Sequence, residues 1–299
     1  MSSKKVHHIS SEQVVFTTDK EHPPVLTIRS GDTVVFETRD AFNQAIRTPE
    51  DLPDKIDMDR VNPVTGPIFI QDAAPGDTLE VHIKKIEVPE QGACCIIPNF
   101  GFLASEFPEP WTRIISIKDG IANFGKGIKI PIDPFPGTLV VAPPGKGQGT
   151  LIPRDYGGNM DSKAIREGTI VYLPVFVPGA LFAIGDVHAA QGDGEVCGTA
   201  IEIDAKVTVK LIVNKEKKIQ RPQYETSDYF MTTAYGETTD EAVKLALKDM
   251  IDWLVAEKDL NRQEAYALCS CAVDFRISQV VDVTPGVRAV LPKTIFEND

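Results

Sequence analysis

From residue 79 to residue 84 the chain alternates strictly: Leu79, Val81 and Ile83 are apolar, and Glu80, His82 and Lys84 stand between them. Successive side chains of an extended strand point to opposite faces, so a period of two means one buried face and one wet face. The turn Ala74-Pro75-Gly76-Asp77 precedes this stretch, and a similar turn, Ser30-Gly31-Asp32, separates apolar residues 24–28 from residues 33–38. Gly-Asp-Thr opens both strands, at 31–33 and at 76–78. Short strands rich in β-branched and aromatic residues, broken by Gly and Pro, are the pattern of a sandwich or barrel. The sequence therefore predicts an α+β, mostly β fold: a β-sandwich or jelly-roll-like body over residues 1–213. Residues 51–59 read as a loop or one short helix within it.

After residue 213 the texture changes. Asn214-Lys215-Glu216-Lys217-Lys218 reads as a charged turn and residues 229–235 as a strand. Thr238 and Glu241 have capping-box spacing and open a helix to about Ala256, with Val243, Leu247, Met250, Ile251 and Leu254 on one face. Asn261 and Glu264 open a second helix, which carries Ala265, Leu268 and Ala272 inward. Residues 277–283 and 287–291 read as closing strands. The expectation is an α/β segment over 214–299, packed on the body.

The formal charge of −12 argues against a nucleic-acid partner and disfavours an anionic membrane surface, since both would repel it. It is indifferent to small neutral substrates. No uninterrupted apolar stretch reaches the roughly 18 residues of a membrane span, and residues 1–8 lack the apolar core of a secretory signal. A cytoplasmic location is expected. The five cysteines, Cys94, Cys95, Cys197, Cys269 and Cys271, have neither paired Cys-x-x-Cys spacing nor an even count, and read as free, mostly buried thiols.

Residues 169–182 form an apolar run, read as strand. It empties into Gly185-Asp186-Val187-His188-Ala189-Ala190-Gln191-Gly192-Asp193-Gly194-Glu195. A buried strand opening into a polar, glycine-jointed loop is a common display site for catalytic or metal-binding groups. Of five histidines, His7 and His8 lie near the N-terminus, His22 precedes Pro23-Pro24, and His82 is on a polar strand face. His188 alone has a chemically rich setting, so a three-His zinc site is not expected and any metal must lean on oxygen ligands. Asp186, two residues from His188, is the nearest. Asp161 in Gly157-Gly158-Asn159-Met160-Asp161 and Asp40 at the end of a strand complete the expected set of Asp40, Asp161, Asp186 and His188.

The segment from Gly185 through Val196, followed by Thr199-Ala200-Ile201-Glu202, resembles the signature of the acetamidase/formamidase family. Residues 34–40, 62–70, 74–79, 134–137, 157–161 and 173–175 agree in order along nearly the whole chain. The resemblance implies hydrolysis of short aliphatic amides, formamide or acetamide, to a carboxylate and ammonia on a mostly β fold. It also implies a homo-oligomer, dimer or tetramer.

An unactivated amide needs a better nucleophile than water, stabilisation of the tetrahedral oxyanion, and a proton for departing ammonia. A divalent metal would serve the first two needs. Zinc suits the His-containing site, and calcium or magnesium would suit oxygen-only ligation. Glu202 and Glu195 are the candidate proton carriers beside His188, with Glu37 behind them; Gln191 and Asn159 are expected to bind substrate. Two other readings stay open: hydrolysis of a urea- or guanidine-like compound, and a non-enzymatic metal- or ligand-binding jelly roll. A nucleophilic-cysteine mechanism lacks a histidine partner in the sequence.

Overall fold

The alternating stretch forms the strand Thr78–Glu87, with Leu79, Val81 and Ile83 buried and Lys84 exposed. In this computed structural model, which describes residues 5–296, that strand lies in a nine-stranded sheet. The order is Val6–Ile9, Thr33–Thr38, Ala205–Asn214, Thr78–Glu87, Ile170–Pro174, Gln223–Glu225, Tyr229–Tyr235, Gly286–Pro292 and Asp274–Gln279. A second, eleven-stranded sheet packs against it. Its central strand Phe182–His188 is flanked by Phe135–Val140 and by the short strand Glu202–Ile203, and also pairs with Val64–Ile70.

The shared core takes alternate residues from both sheets, including Phe36, Val81, Val207 and Val209 from one and Ile115, Leu139, Phe182 and Ile184 from the other. Phe36 and Phe182 meet edge to face across it, with ring centroids 5.9 Å apart. Each such buried side chain contributes about 1.5–3 kcal/mol, so the sandwich is held by its interior. The fold is mostly β with a C-terminal helical part, as expected.

The apolar run 169–182 is not one strand. Ile170–Pro174 belongs to the nine-stranded sheet and Phe182–His188 to the other, so the chain crosses the core between them. Pro174, Pro178 and Gly179 interrupt the run; Gly179 has φ +77, and a Cβ there would collide with the Phe69 ring. Residues 51–59 hold two 3-10 turns, Pro53–Lys55 and Met58–Arg60.

Beyond residue 213 the strands continue the nine-stranded sheet, because Gln223–Glu225 pairs with Ile170–Pro174. Two helices, Thr239–Lys258 and Arg262–Ala272, cover the outer face of its last strands. Thr238 caps the first, accepting from Glu241 N, and Asn261 with Glu264 forms the capping box of the second. The buried stripe of the first helix is Ala242, Ala246, Met250, Ile251 and Leu254. It sits slightly round from the expected one because the small alanines let the helix approach the sheet; Val243 and Leu247 are half-buried. Among the described residues no helix is long and apolar enough to cross a membrane.

Candidate active site

Asp186 and His188 lie at the end of the strand Phe182–His188, both almost fully buried. Antiparallel pairing sets Glu202 directly opposite His188. Glu202 Oε2 is 3.2 Å from His188 Nε2, and Asp186 Oδ1 is also 3.2 Å away. Glu195 Oε1 and Asp161 Oδ1 stand at 3.9 and 4.0 Å from the same nitrogen. Asp282, from the C-terminal part, meets Asp161 and Glu195 with carboxylate oxygens all within 4.8 Å of one another. Five carboxylates and one imidazole thus converge, and each is buried.

Three of these carboxylates sit on strained backbone. Asp161 has φ 42, Asp186 φ 53 and Glu195 φ 46, a left-handed conformation that L residues enter at a cost and that clusters at functional sites. Gly137, on the neighbouring strand Phe135–Val140, leaves the space they occupy. A Cβ there would lie 2.6 Å from Asp186 Oδ2 and collide with Asp161 Oδ1 as well.

The other ring nitrogen of His188 fixes its orientation. Nδ1 is 2.8 Å from Gln191 Oε1, while Gln191 Nε2 donates to the backbone carbonyls of Asp161 (2.8 Å) and Ser278 (3.2 Å). With the amide group committed to two carbonyls, its oxygen must face the ring, so Nδ1 donates and Nε2 is turned toward the carboxylates. The Phe135 ring packs edge to face on the imidazole, centroids 5.2 Å apart.

Burial sets the protonation of this cluster. It lifts Asp282 to about 7 and raises Asp161 well above the usual carboxylate range, where Glu195, Asp282 and Asp186 add to the effect. Burial likewise raises Glu195 and Glu202, against the opposing pull of His188. For His188 burial acts downward, but Glu202 and Asp186 outweigh it and hold the imidazolium well above its ordinary value. Like charges about 4 Å apart repel by about 4 kcal/mol at an effective dielectric near 20, so five bare carboxylates cannot coexist here. Asp161 Oδ1 and Oδ2 and Asp282 Oδ2 are buried without a hydrogen-bond partner, and Glu202 Oε2 has only the His188 ring beside it. Buried acceptors of this kind fit a divalent cation, which supplies the missing positive charge.

A cavity of about 70 Å3 opens on the cluster. Asp186, His188, Glu195, Glu202, Asp282 and Asn159 form its polar end, and Phe42, Ile56, Val61, Ile97, Phe100 and Leu151 its apolar wall. It is far smaller than the roughly 300–1,000 Å3 of a drug-sized ligand site.

Of the residues expected from the sequence, Asp161, Asp186, His188, Glu195 and Glu202 are brought together. Asn159 lines the cavity, with Oδ1 accepting from Asn62 and Thr138, each at 2.6 Å. Gln191 is absent from the cavity lining; it positions His188 instead. Asp40 is not in the cluster either. Its carboxylate holds Arg47 Nη1 at 2.9 Å and accepts from Gln44 N, and burial lifts it to about 6 against the pull of that guanidinium. An aspartate whose charge is already met by an arginine has little to offer a cation. Glu37 forms an outer ion pair with Lys206.

Asp282 was missed, since residues 277–283 read as a strand. The strand ends at Gln279, and the loop after it carries Val283 at φ 68. Gln279 Oε1 accepts from Asp282 N and Val281 N, turning the aspartate inward. An acid set among Val280, Val281 and Val283 in a segment read as strand was the signal available.

Cys94, Cys95 and Cys197 are free thiols and none lines the cavity. The nearby Cys94 thiol, by its hydrogen bond, lowers Cys197 to about 6, but this sulfur lines an outer cleft with Phe100, Leu103 and Val196. Cys271 is exposed on its helix, contrary to the expectation of mostly buried thiols, while Cys95 and Cys269 are buried.

The sequence profile of the acetamidase/formamidase family matches residues 7–146 and 144–298. The chain belongs to this family. An acetamidase from Bacillus halodurans shares its fold with a TM-score of 0.94 at 40% identity, over 97% of this chain and 98% of that one. A predicted acetamidase/formamidase from Thermoanaerobacter tengcongensis superposes with a TM-score of 0.95 at 38% identity, over 98% and 97%. A formamidase of Methylophilus methylotrophus is 27% identical over 361 residues, spanning 93% of this chain and 88% of its own. This member therefore keeps the family fold over nearly all of its described residues, and the resemblance drawn from the residues around His188 holds.

Proposed function

We propose that this acetamidase/formamidase relative hydrolyses short linear amides to a carboxylate and ammonia with the help of a divalent cation. The observation that carries this reading is the convergence of buried carboxylate oxygens, some unpartnered, on His188 Nε2 at the end of a small cavity. Asp161, Asp186 and His188 would hold zinc. The oxygen-only group Asp161, Glu195 and Asp282 suits calcium or magnesium better. A cation bound there supplies Lewis acidity, lowering the pKa of water and polarising a carbonyl.

The chain's own residues do the rest. Glu202, one oxygen on Ala200 N at 2.7 Å and the other beside His188, is placed to accept a proton from water and return it to departing ammonia. Its burial, which raises its pKa toward neutrality, suits both directions of that transfer. The apolar wall excludes water from the leaving group and limits the acyl chain. A site this small favours formamide and acetamide.

The test is ammonia release from a panel of C1–C4 amides, with urea and guanidine alongside and metal content measured on the same protein. Release from formamide or acetamide, lost on chelation and restored by zinc, is the expected result. Metal-replete protein that releases nothing from any amide would overturn the reading.

A further inference from the structure

We propose that Cys94 and Cys197 form a reversible disulfide that slows the neighbouring site. Cys94 lies on the strand Gln91–Ile96, and Cys197 lies in the loop between Glu195 and Thr199. Both sulfurs reach the same hydroxyl: Thr199 Oγ1 is 3.6 Å from Cys94 Sγ and 3.8 Å from Cys197 Sγ. The remaining cysteines are placed elsewhere. Cys95 turns to the opposite face of its strand, onto Thr112 Oγ1, and Cys269 and Cys271 lie on the second helix.

Access exists from outside. Cys197 lines a cleft of about 300 Å3 with Ile96, Phe100, Leu103 and Val196, which shares the Phe100 wall with the catalytic cavity, and both thiols are only partly buried. A small-molecule disulfide such as oxidised glutathione would reach the Cys197 sulfur with one end in this cleft and the rest outside it. The Cys197 sulfur attacks it, forming a mixed disulfide and releasing one thiol, which takes the Cys197 proton. The Cys94 sulfur then attacks Cys197, forming the internal bond and releasing the second thiol with the Cys94 proton. Two protein thiols are oxidised and one external disulfide is reduced, so electrons and protons balance.

The bond would act on the site through Thr199. That hydroxyl accepts from Cys95 N at 3.0 Å and donates to Cys95 O at 2.8 Å, pinning the loop to the strand. Drawing the sulfurs to a bonded separation of about 2.0 Å disturbs this clamp. Gly198 and Thr199 line the catalytic cavity, and Glu195 and Glu202 flank them in the chain. A shift there displaces both carboxylates from His188.

Full-length, metal-replete protein is treated with oxidised glutathione and mapped by non-reducing peptide mass spectrometry. The expected result is a peptide pair joined through Cys94 and Cys197, with kcat/KM on acetamide falling about tenfold and recovering with dithiothreitol. Cys94→Ser should stop at the glutathione adduct on Cys197, and Cys197→Ser should leave turnover insensitive to the oxidant. If these variants do not fold, the wild-type map decides alone. Unlinked cysteines, a wild-type glutathione adduct that never resolves, or a linked pair with unchanged turnover would overturn the proposal. Failure to release ammonia before oxidation sinks the amidase reading instead; the map still tests the bond, and zinc affinity before and after oxidation tests its effect on the site.

Discussion

Gln191 Oε1 lies 2.8 Å from His188 Nδ1, and its amide group is fastened to two backbone carbonyls. One glutamine therefore decides which nitrogen of the only histidine in the cluster faces the carboxylates. Groups that orient a ligating imidazole typically matter 10–100-fold in affinity or activity. Gln191→Leu keeps the bulk and removes the acceptor. We expect kcat and zinc affinity both to fall by about one to two orders of magnitude. Equilibrium dialysis beside steady-state kinetics checks this; unchanged zinc affinity would show that His188 is held by its packing on Phe135 alone.

His188 and Glu202 face each other across one strand pair, yet their loss should look different. His188→Ala removes the only nitrogen donor of the cluster, so metal content and turnover should fall together. Glu202→Gln keeps the shape and one oxygen but cannot accept a proton, and turnover should drop about 10²–10⁴-fold while metal is retained. Metal analysis and circular dichroism on both variants separate the roles. Near-wild-type ammonia release by His188→Ala would move the active site away from this loop.

Gly137 offers a test that touches no polar atom. The Cβ of Gly137→Ala would enter the space of the Asp161 and Asp186 carboxylates. Overpacking of this kind costs about 1–3 kcal/mol, and here it displaces the groups expected to hold the cation. Activity should fall far more than the melting temperature does. A thermal scan with a parallel assay measures both, and a fully active Gly137→Ala would mean the pair tolerates being pushed apart.

Much of this site was legible because its residues are near in sequence or lie in segments of one texture. Asp186 and His188 share a strand end, and Glu202 falls in the apolar stretch that pairs with it. What escaped depended on long-range geometry. Asp282 reaches the cluster only because the chain leaves its strand at Gln279 and turns through a left-handed residue, while flanking valines imitate a strand. Asp40 was read as a ligand because its arginine partner is seven residues away, in a loop that periodicity does not describe. The apolar run 169–182 gave its composition correctly and its connectivity wrongly. A strand pattern says that a residue is buried, not in which of two facing sheets.

The same buried acids make stability depend on pH in a direction that metal should reverse. Asp282 is lifted by burial from 3.8 to about 7, and Asp161, Glu195 and Glu202 are raised for the same leading reason. A carboxyl whose pKa is higher folded than unfolded binds more protons in the native state, so stability falls as pH rises between the two values. His188, also raised, has the same sign: its contribution is present below its unfolded pKa and lost as pH climbs through the folded one. Metal-free protein should therefore be most stable near pH 4–5 and lose on the order of a few kcal/mol by pH 8. A divalent cation takes the place of those protons, so its stabilisation should be small at pH 5 and large at pH 8. Denaturant titrations of chelated and zinc-loaded protein at both values measure the four numbers required. A chelated protein more stable at pH 8 than at pH 5 would mean that the carboxylates are satisfied without protons or metal.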